Sequence, residues 1–280
     1  MLNKYTWWEL VLLYLGVAVF LMFVLAPFAE AFAVSLRPLD GLFNIPYEFI
    51  TDDMTFENYS IMWKSVPNLA LYIWNSFFIA CCVTILALIC IIPAAYSFGR
   101  FTYRGRDGLL AMFLGINMVG AAVLIIPLYK LMLTLGLLNT YWSMIIPGAA
   151  FCVPTGIFLM RSYFLRIPKE LEEAAYVDGA SRLYTLWRVI LPVALPGIMV
   201  VTIATFITAY AQQFLFALTF NSKDAYKPLP VGLYDFFGHQ TVHWNELMAA
   251  SLVGISPVLI LYVFLQRYIV AGLTSGAVKE

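Results

Sequence analysis

Within Glu170–Pro192, ELEEAAYVDGASRLYTLWRVILP, four carboxylates, one glycine and two arginines lie between long apolar runs. Glu170, Glu172 and Glu173 follow Pro168, which suits a first helical position because its missing N–H costs nothing there. Negative charge in that turn also complements the helix dipole. Leu171, Ala174, Ala175 and Val177 give the same helix a small, weakly apolar face. Asp178-Gly179 ends it, since glycine accepts a left-handed conformation. Ser181 then caps a second helix running from Arg182 through Leu183, Leu186, Trp187 and Ile190 to Leu191-Pro192. The chemistry on offer is docking. A solvated loop could carry the same caps, but alanines leave room for a second surface to approach closely, which a helix facing only water does not need.

Other polar groups suit recognition better than catalysis. Asn117, Thr208, Tyr210, Gln212 and Gln213 fall inside apolar runs, where polar side chains are expensive and often functional. Amides and hydroxyls there can hydrogen-bond to a polar solute, or they can hold one helix to another. Lys130 could attract an anion or snorkel at an interface. His239 and His243 are four apart, but no further metal ligand accompanies them, and no His/Asp/Glu cluster suggests an enzyme. Cys81, Cys82, Cys90 and Cys152 all sit in apolar runs, where a thiol packs as a small hydrophobe. No phosphate loop of the Gly-x-x-x-x-Gly-Lys-Ser/Thr type occurs.

The elements that position these residues follow from composition. Hydrophobic residues make up 62% of the 280 and charged residues 11%, against about a quarter charged in soluble domains. That much apolar surface requires lipid as solvent, and zero net charge offers no case for nucleic acid. Six stretches lack Asp, Glu, Lys and Arg: residues 10–29, 65–99, 108–129, 131–160, 189–222 and 247–266. Each approaches or exceeds the roughly 20 residues that cross a bilayer as a helix. None alternates as a membrane strand would. The first is read as a retained span, because no convincing cleavage site follows it. Pro127, Pro147, Pro154 and Pro257 fall within spans, where proline either kinks a helix or is simply tolerated.

Orientation follows the basic residues. The side holding both termini carries Lys4, Arg100, Arg104, Arg106, Arg161, Arg166, Lys169, Arg182, Arg188, Arg267 and Lys279. The opposite side carries Arg37, Lys64, Lys130, Lys223 and Lys227. Both termini and the charged loop are therefore expected in the cytoplasm, with Trp63, Trp74, Trp142 and Trp244 at the outer interface.

The sequence Glu173-Ala174-Ala175, Asp178-Gly179-Ala180 and Ile190-Leu191-Pro192 resembles the EAA loop of membrane subunits of binding-protein-dependent ABC importers. NSFFIA, AAYSFGRFTYRGRD, IPLYKLMLTLGLLNTYWSMIIPGAAF, GIFLMRSYFLRIPKELEEAA and QRYIVAGLTSGAVK are similar to the carbohydrate branch of that family, and the likeness covers roughly residues 30–280. Two places depart from it. The family often has an aromatic-Asn-acidic triplet before FLFAL, where this chain has Gln212 and Gln213, and Leu186 stands where phenylalanine is common.

The resemblance implies an all-α membrane protein of about six transmembrane helices, a type I ABC importer transmembrane domain with a cytoplasmic coupling helix. It implies one permease domain over 1–280, with a first span near 10–35, core spans near 66–270 and the loop at 161–192. Glu173, Ala174, Ala175, Asp178, Gly179, Ala180, Leu191 and Pro192 would couple to an ATPase as a rigid lever continuous with the fifth span. Asn117, Thr208, Tyr210, Gln212 and Gln213 would line the substrate path. Expected partners are two ATP-binding subunits carrying ATP and magnesium, a second homologous permease and an external solute-binding protein. The pore would be a heterodimer, with a homodimer as the alternative. The setting would be the bacterial cytoplasmic (inner) membrane, with no cofactor, metal or catalytic residue on this chain. A stand-alone secondary transporter or channel is the competing reading; it would call for ionisable residues in mid-span or inverted repeats, and neither is evident.

Overall fold

A computed structural model describes residues 6–43, 49–238 and 241–274, with side chains to Gln266. Lys4, His239, Lys279 and the side chain of Arg267 lie outside the described residues. The chain divides into two compact units, residues 1–69 with 233–255 and residues 70–232 with 256–280.

In the first unit, helix α1 (Trp7–Leu36) opens where Glu9 accepts from the Thr6 amide at 2.8 Å. Most of its large apolar side chains are exposed, the pattern of a helix whose solvent is lipid. Its end is tied to α2 (Asn58–Ser65): Asn58 Nδ2 donates to the carbonyls of Ser35 and Arg37, both at 2.9 Å. Asn245, in the first turn of the long helix α13 (Trp244–Thr274), donates to Asn58 Oδ1 at 2.9 Å. His243 Nδ1 lies 3.1 Å from Glu246 Oε1.

The second unit holds α3 (Leu69–Arg100), α4 (Arg106–Met118), α5 (Ile125–Thr134), α6 (Trp142–Arg166), α7 (Glu170–Val177), α8 (Arg182–Tyr184), α9 (Leu191–Val193), α10 (Leu195–Ala211), α11 (Gln213–Phe220) and α12 (Leu229–Gly232). At its centre is α6, packed against α4, α10 and α11. Small residues make close approach feasible. A Cβ on Gly148 would come 3.1 Å from Val83 Cγ2, and one on Gly156 would strike the Ile91 side chain of α3. Gly197 of α10 leaves no room at all, because a Cβ there would lie 2.5 Å from Tyr163 Cγ and 2.8 Å from Tyr163 Cβ.

Among the described residues four helices are long and apolar enough to cross a membrane, α1, α3, α6 and α13 up to Gln266. A fifth span arises if the helical segments on either side of Ala194, bent by 81°, are taken together. The charge-free stretch 108–129 is not one helix. It forms α4 and the start of α5, separated by turns around Gly120, with Pro127 in the first turn of α5 where it displaces no hydrogen bond. The stretch 131–160 likewise begins as α6 only at Trp142, because Gly136 and Asn139 both adopt left-handed backbone (φ 68° and 58°). Pro147, Pro154 and Pro257 sit inside unbroken helices. Trp142 and Trp244 open α6 and α13 and are exposed, as an interfacial belt requires.

Replacing Gly197 by alanine drives a methyl into the stem of Tyr163, which cannot swing aside. The expected cost is about 1–3 kcal/mol, read as a lower Tm of the purified protein in detergent; adding Tyr163→Ala should recover part of it. An unchanged Tm for Gly197→Ala would show that α6 and α10 are not in this contact.

Candidate functional site

The charged loop folds as its residue types require, with corrections. Helix α7 begins at Glu170 with Lys169 as its cap, so Pro168 lies just before the helix rather than at its first position. It ends in a Schellman motif: Ala180 N–H donates to Ala175 O at 2.9 Å, Gly179 N–H to Tyr176 O at 3.0 Å, and Gly179 has φ +84°. Ser181 Oγ then accepts from Tyr184 N–H, capping α8. The following residues, Thr185–Ile190, form a π-helical turn leading to α9. The lever expected to run straight through Leu191-Pro192 into the fifth span is bent by 81° at Ala194. Pro192 and Pro196, flanking the joint, each lack the N–H that would stiffen it.

The two faces of α7 differ. Glu173 and Ala174 are exposed, as is Val177 at 88%. Ala175 is buried, and its wall joins Asp178, Gly179, Ala180, Ser181, Tyr184 and Val189 around a concavity of about 620 Å³. The two alanines therefore do not share one docking face. Leu191 is buried at the joint and Pro192 exposed.

Residue reasoning missed what holds this loop in place. Glu172 points inward and pairs with Arg100 at 2.8 Å, the two side chains 9% and 2% exposed. Burial pushes the Glu172 carboxyl above its ordinary range, and Arg100 opposes that shift. Arg100 also donates to Ile167 O at 2.7 Å, and Arg161 Nε to Phe98 O at 3.1 Å. Arg182 lies 5.0 Å over the Phe101 ring. The available signal was spacing: Glu172 and Ala175 are three apart and so share a face.

The five proposed path residues separate. Asn117, Thr208 and Gln212 come together around a cavity of about 90 Å³, with Cys152, Thr155 and Thr205 in the same wall. Asn117 Nδ2 donates to Thr155 Oγ1 at 3.2 Å, and Thr208 Oγ1 donates back to Ala204 O at 2.8 Å, leaving its oxygen able to accept. Gln212 occupies the interruption between α10 and α11. Gln213, by contrast, is buried and donates to Ser76 O at 2.7 Å, tying α11 to α3. With Gln212 it also borders a second, far smaller space of about 10 Å³. Tyr210 lines neither cavity; its ring lies 6.1 Å from Phe206. Lys130 is exposed midway along α5. A further polar knot went unread: Tyr141 donates to Asn75 Oδ1 at 2.8 Å, and Asn75 Nδ2 donates to Ala225 O and Lys227 O. His243 pairs with Glu246 while His239 lies outside the described residues, and no group of three potential metal ligands occurs among those described.

Apolar helices, a projecting charged helix-turn-helix and a small polar cavity walled by α4, α6 and α10 define a membrane-embedded transport subunit. The chain belongs to the family of binding-protein-dependent transport system inner membrane components, matched over residues 5–275. It is similar to the trehalose/maltose transport system permease protein MalG of Thermococcus litoralis, 34% identical over 96% of each chain. It is also similar to the inner membrane ABC transporter permease protein YcjP of Escherichia coli, 33% identical over 95% of each. Among solved structures it resembles a chain of a bacterial ABC transporter involved in import of the acidic polysaccharide alginate. That chain has a TM-score of 0.75 and 25% identity, with 94% of this chain and 98% of that one covered. The protein is thus a multi-pass, integral inner-membrane permease of an ABC importer, a transport component rather than an enzyme.

The two glutamines should respond differently to substitution. Gln213→Leu removes the bond that ties α11 to Ser76 O of α3 and should cost about 1 kcal/mol of stability, seen as a lower Tm in detergent. Gln212→Leu should leave the Tm unchanged and alter solute uptake instead. The reverse pattern would exchange the two assignments.

Proposed function

We propose that this chain translocates a carbohydrate delivered by an external solute-binding protein, and that the loop Glu170–Pro192 couples it to cytoplasmic ATPase subunits. The observation carrying this reading is the projecting loop: Glu173 and Ala174 exposed on α7, beside a concavity walled by Ala175 and Asp178–Ser181. A second protein surface has both a ridge and a hollow to engage there. Gly179 sets the angle between α7 and α8, and Leu191-Pro192 leads into the bent joint with α10. Closure of two ATPases on ATP and magnesium, bound on those subunits, would move the loop and with it the membrane helices.

The remaining assembly follows the same logic. A second homologous permease completes the pore as a heterodimer, residues 1–280 acting as one permease domain. Both termini face the cytoplasm, as the excess of Lys and Arg on that side favours. Asn117, Thr208 and Gln212 form this subunit's share of the path. The cavity residues carry amides and hydroxyls and no charged side chain, which suits a neutral sugar. The similar Thermococcus permease is named for trehalose and maltose, whereas the similar solved transporter imports an acidic polysaccharide.

Reconstitution with the ATPase, the second permease and the solute-binding protein tests the coupling role. Glu173→Lys reverses the charge on the exposed face, and Gly179→Pro forbids the positive φ. Each should abolish binding-protein-stimulated ATP hydrolysis and uptake while membrane insertion persists. Normal transport by both variants would remove the coupling assignment. Uptake of labelled trehalose, maltose and alginate oligosaccharide by the wild type then separates neutral from acidic substrates.

A further inference from the structure

We infer that Arg100 and Glu172 are positioning residues that yoke the coupling helix α7 to the membrane helix α3; the inference rests on the coupling role proposed above for the loop. Arg100 is the last residue of α3 and Glu172 lies in the first turn of α7. Their side chains meet at 2.8 Å, almost wholly buried. The guanidinium is further fixed by its bond to Ile167 O, at the entrance to the loop. Arg161 Nε holds Phe98 O two residues earlier on α3, and Arg182 covers the Phe101 ring just beyond it. The end of α3 is thereby gripped from three segments: the end of α6, the start of α7 and the start of α8.

The Arg100–Glu172 contact is a buried ion pair, and the directional, charge-assisted bond of Arg100 goes to Ile167 O at the entrance to the loop, so displacement of α7 carries α3 with it. An apolar contact of the same size is non-directional and can slide. The covalent route from the loop to the fifth span passes through the π-helical turn and the 81° bend at Ala194. The noncovalent route through Arg100 is shorter and has no such joint. Glu173, one residue on, faces outward and is left to the partner. Adjacent glutamates thus divide the work, Glu173 toward the ATPase and Glu172 toward the membrane helix.

The test uses the assembled importer with spin labels at Ile89 on α3 and Val177 on α7, both exposed, in a background with the native cysteines replaced. In the wild type the distance between labels should remain single and narrow before and after trapping with ATP and vanadate. In Glu172→Gln and Arg100→Gln the narrow distance should be lost on trapping, when load is applied. The pair Arg100→Met/Glu172→Leu guards against misfolding, because buried ion pairs can often be replaced by apolar residues without loss of stability; it should assemble and still lose the narrow distance on trapping. Variant distances that stay narrow through trapping, that broaden equally in both states, or that are restored by the apolar pair would each overturn the inference. Failure of the underlying reading has a separate signature: the Val177 label would then show no immobilisation when the ATPase subunits are added.

Discussion

Polar groups in hydrocarbon have no water to turn to, and every one left unpaired is costly. That constraint organises the apolar helices of this chain. Thr84, Thr202, Thr208, Thr219 and Ser251 each return their hydroxyl to a carbonyl four residues back, so they ask nothing of a neighbouring helix. Asn75 and Gln213 cannot do this with their longer amides and reach across to other segments instead, Asn75 to residues 225 and 227 and Gln213 to Ser76. The few amides therefore fix the register of α3 against α11 and the segment before α12. Asn117 and Gln212 differ in standing at the cavity between α4, α6 and α10.

Stiffness comes from a second source. Gly148 and Gly156 bring α6 close to α3, and Gly197 brings α10 onto Tyr163 with no slack. Interiors packed so closely do not deform continuously; they shift as bodies. A transporter built this way moves where it is jointed. The joints are the interruptions between helices: the turns around Gly120, the bend at Ala194 and the single residue Gln212 between α10 and α11.

Much of this was legible in the residues, because charge is so scarce that each cluster punctuates a helix. The places of α1, α3 and α13 follow from the charge-free runs, although α1 continues past Glu30 to Leu36 and α13 past Arg267 to Thr274, and the turn at Gly179 follows from glycine's tolerance of positive φ. The division of labour between neighbours was not legible. Glu172 and Glu173 are chemically identical and one residue apart; only the rotation of α7 on its contacts decides which is buried, and that rotation is set by Arg100, seventy residues away. Gln212 and Gln213 pose the same problem, resolved by where α10 stops. Ala174 and Ala175 looked like one face for the same reason. The bend at Ala194 is a tertiary outcome too: Pro192 and Pro196 permit it, but prolines at 147, 154 and 257 leave their helices unbroken.

That last contrast bears on how force crosses the subunit. A straight lever would deliver motion of the loop along the axis of the fifth span. A loop joined to that span through a π-helical turn and a sharp bend cannot, since a hinge converts displacement into rotation about itself. In the coupling proposed above, motion would then pass laterally, through contacts made by the loop before the bend. The buried contacts of α7 and its flanks that cross to another membrane helix are directed at the end of α3, and α3 in turn is pinned along its length to α6 by the glycines at 148 and 156 and to α11 by Gln213. The polar cavity is walled by α6 and α10 together with α4, and Gly197 seats the start of α10 on Tyr163 of α6, so in the coupling proposed above a push at Arg100 would reach the cavity wall through α6 and carry α10 with it.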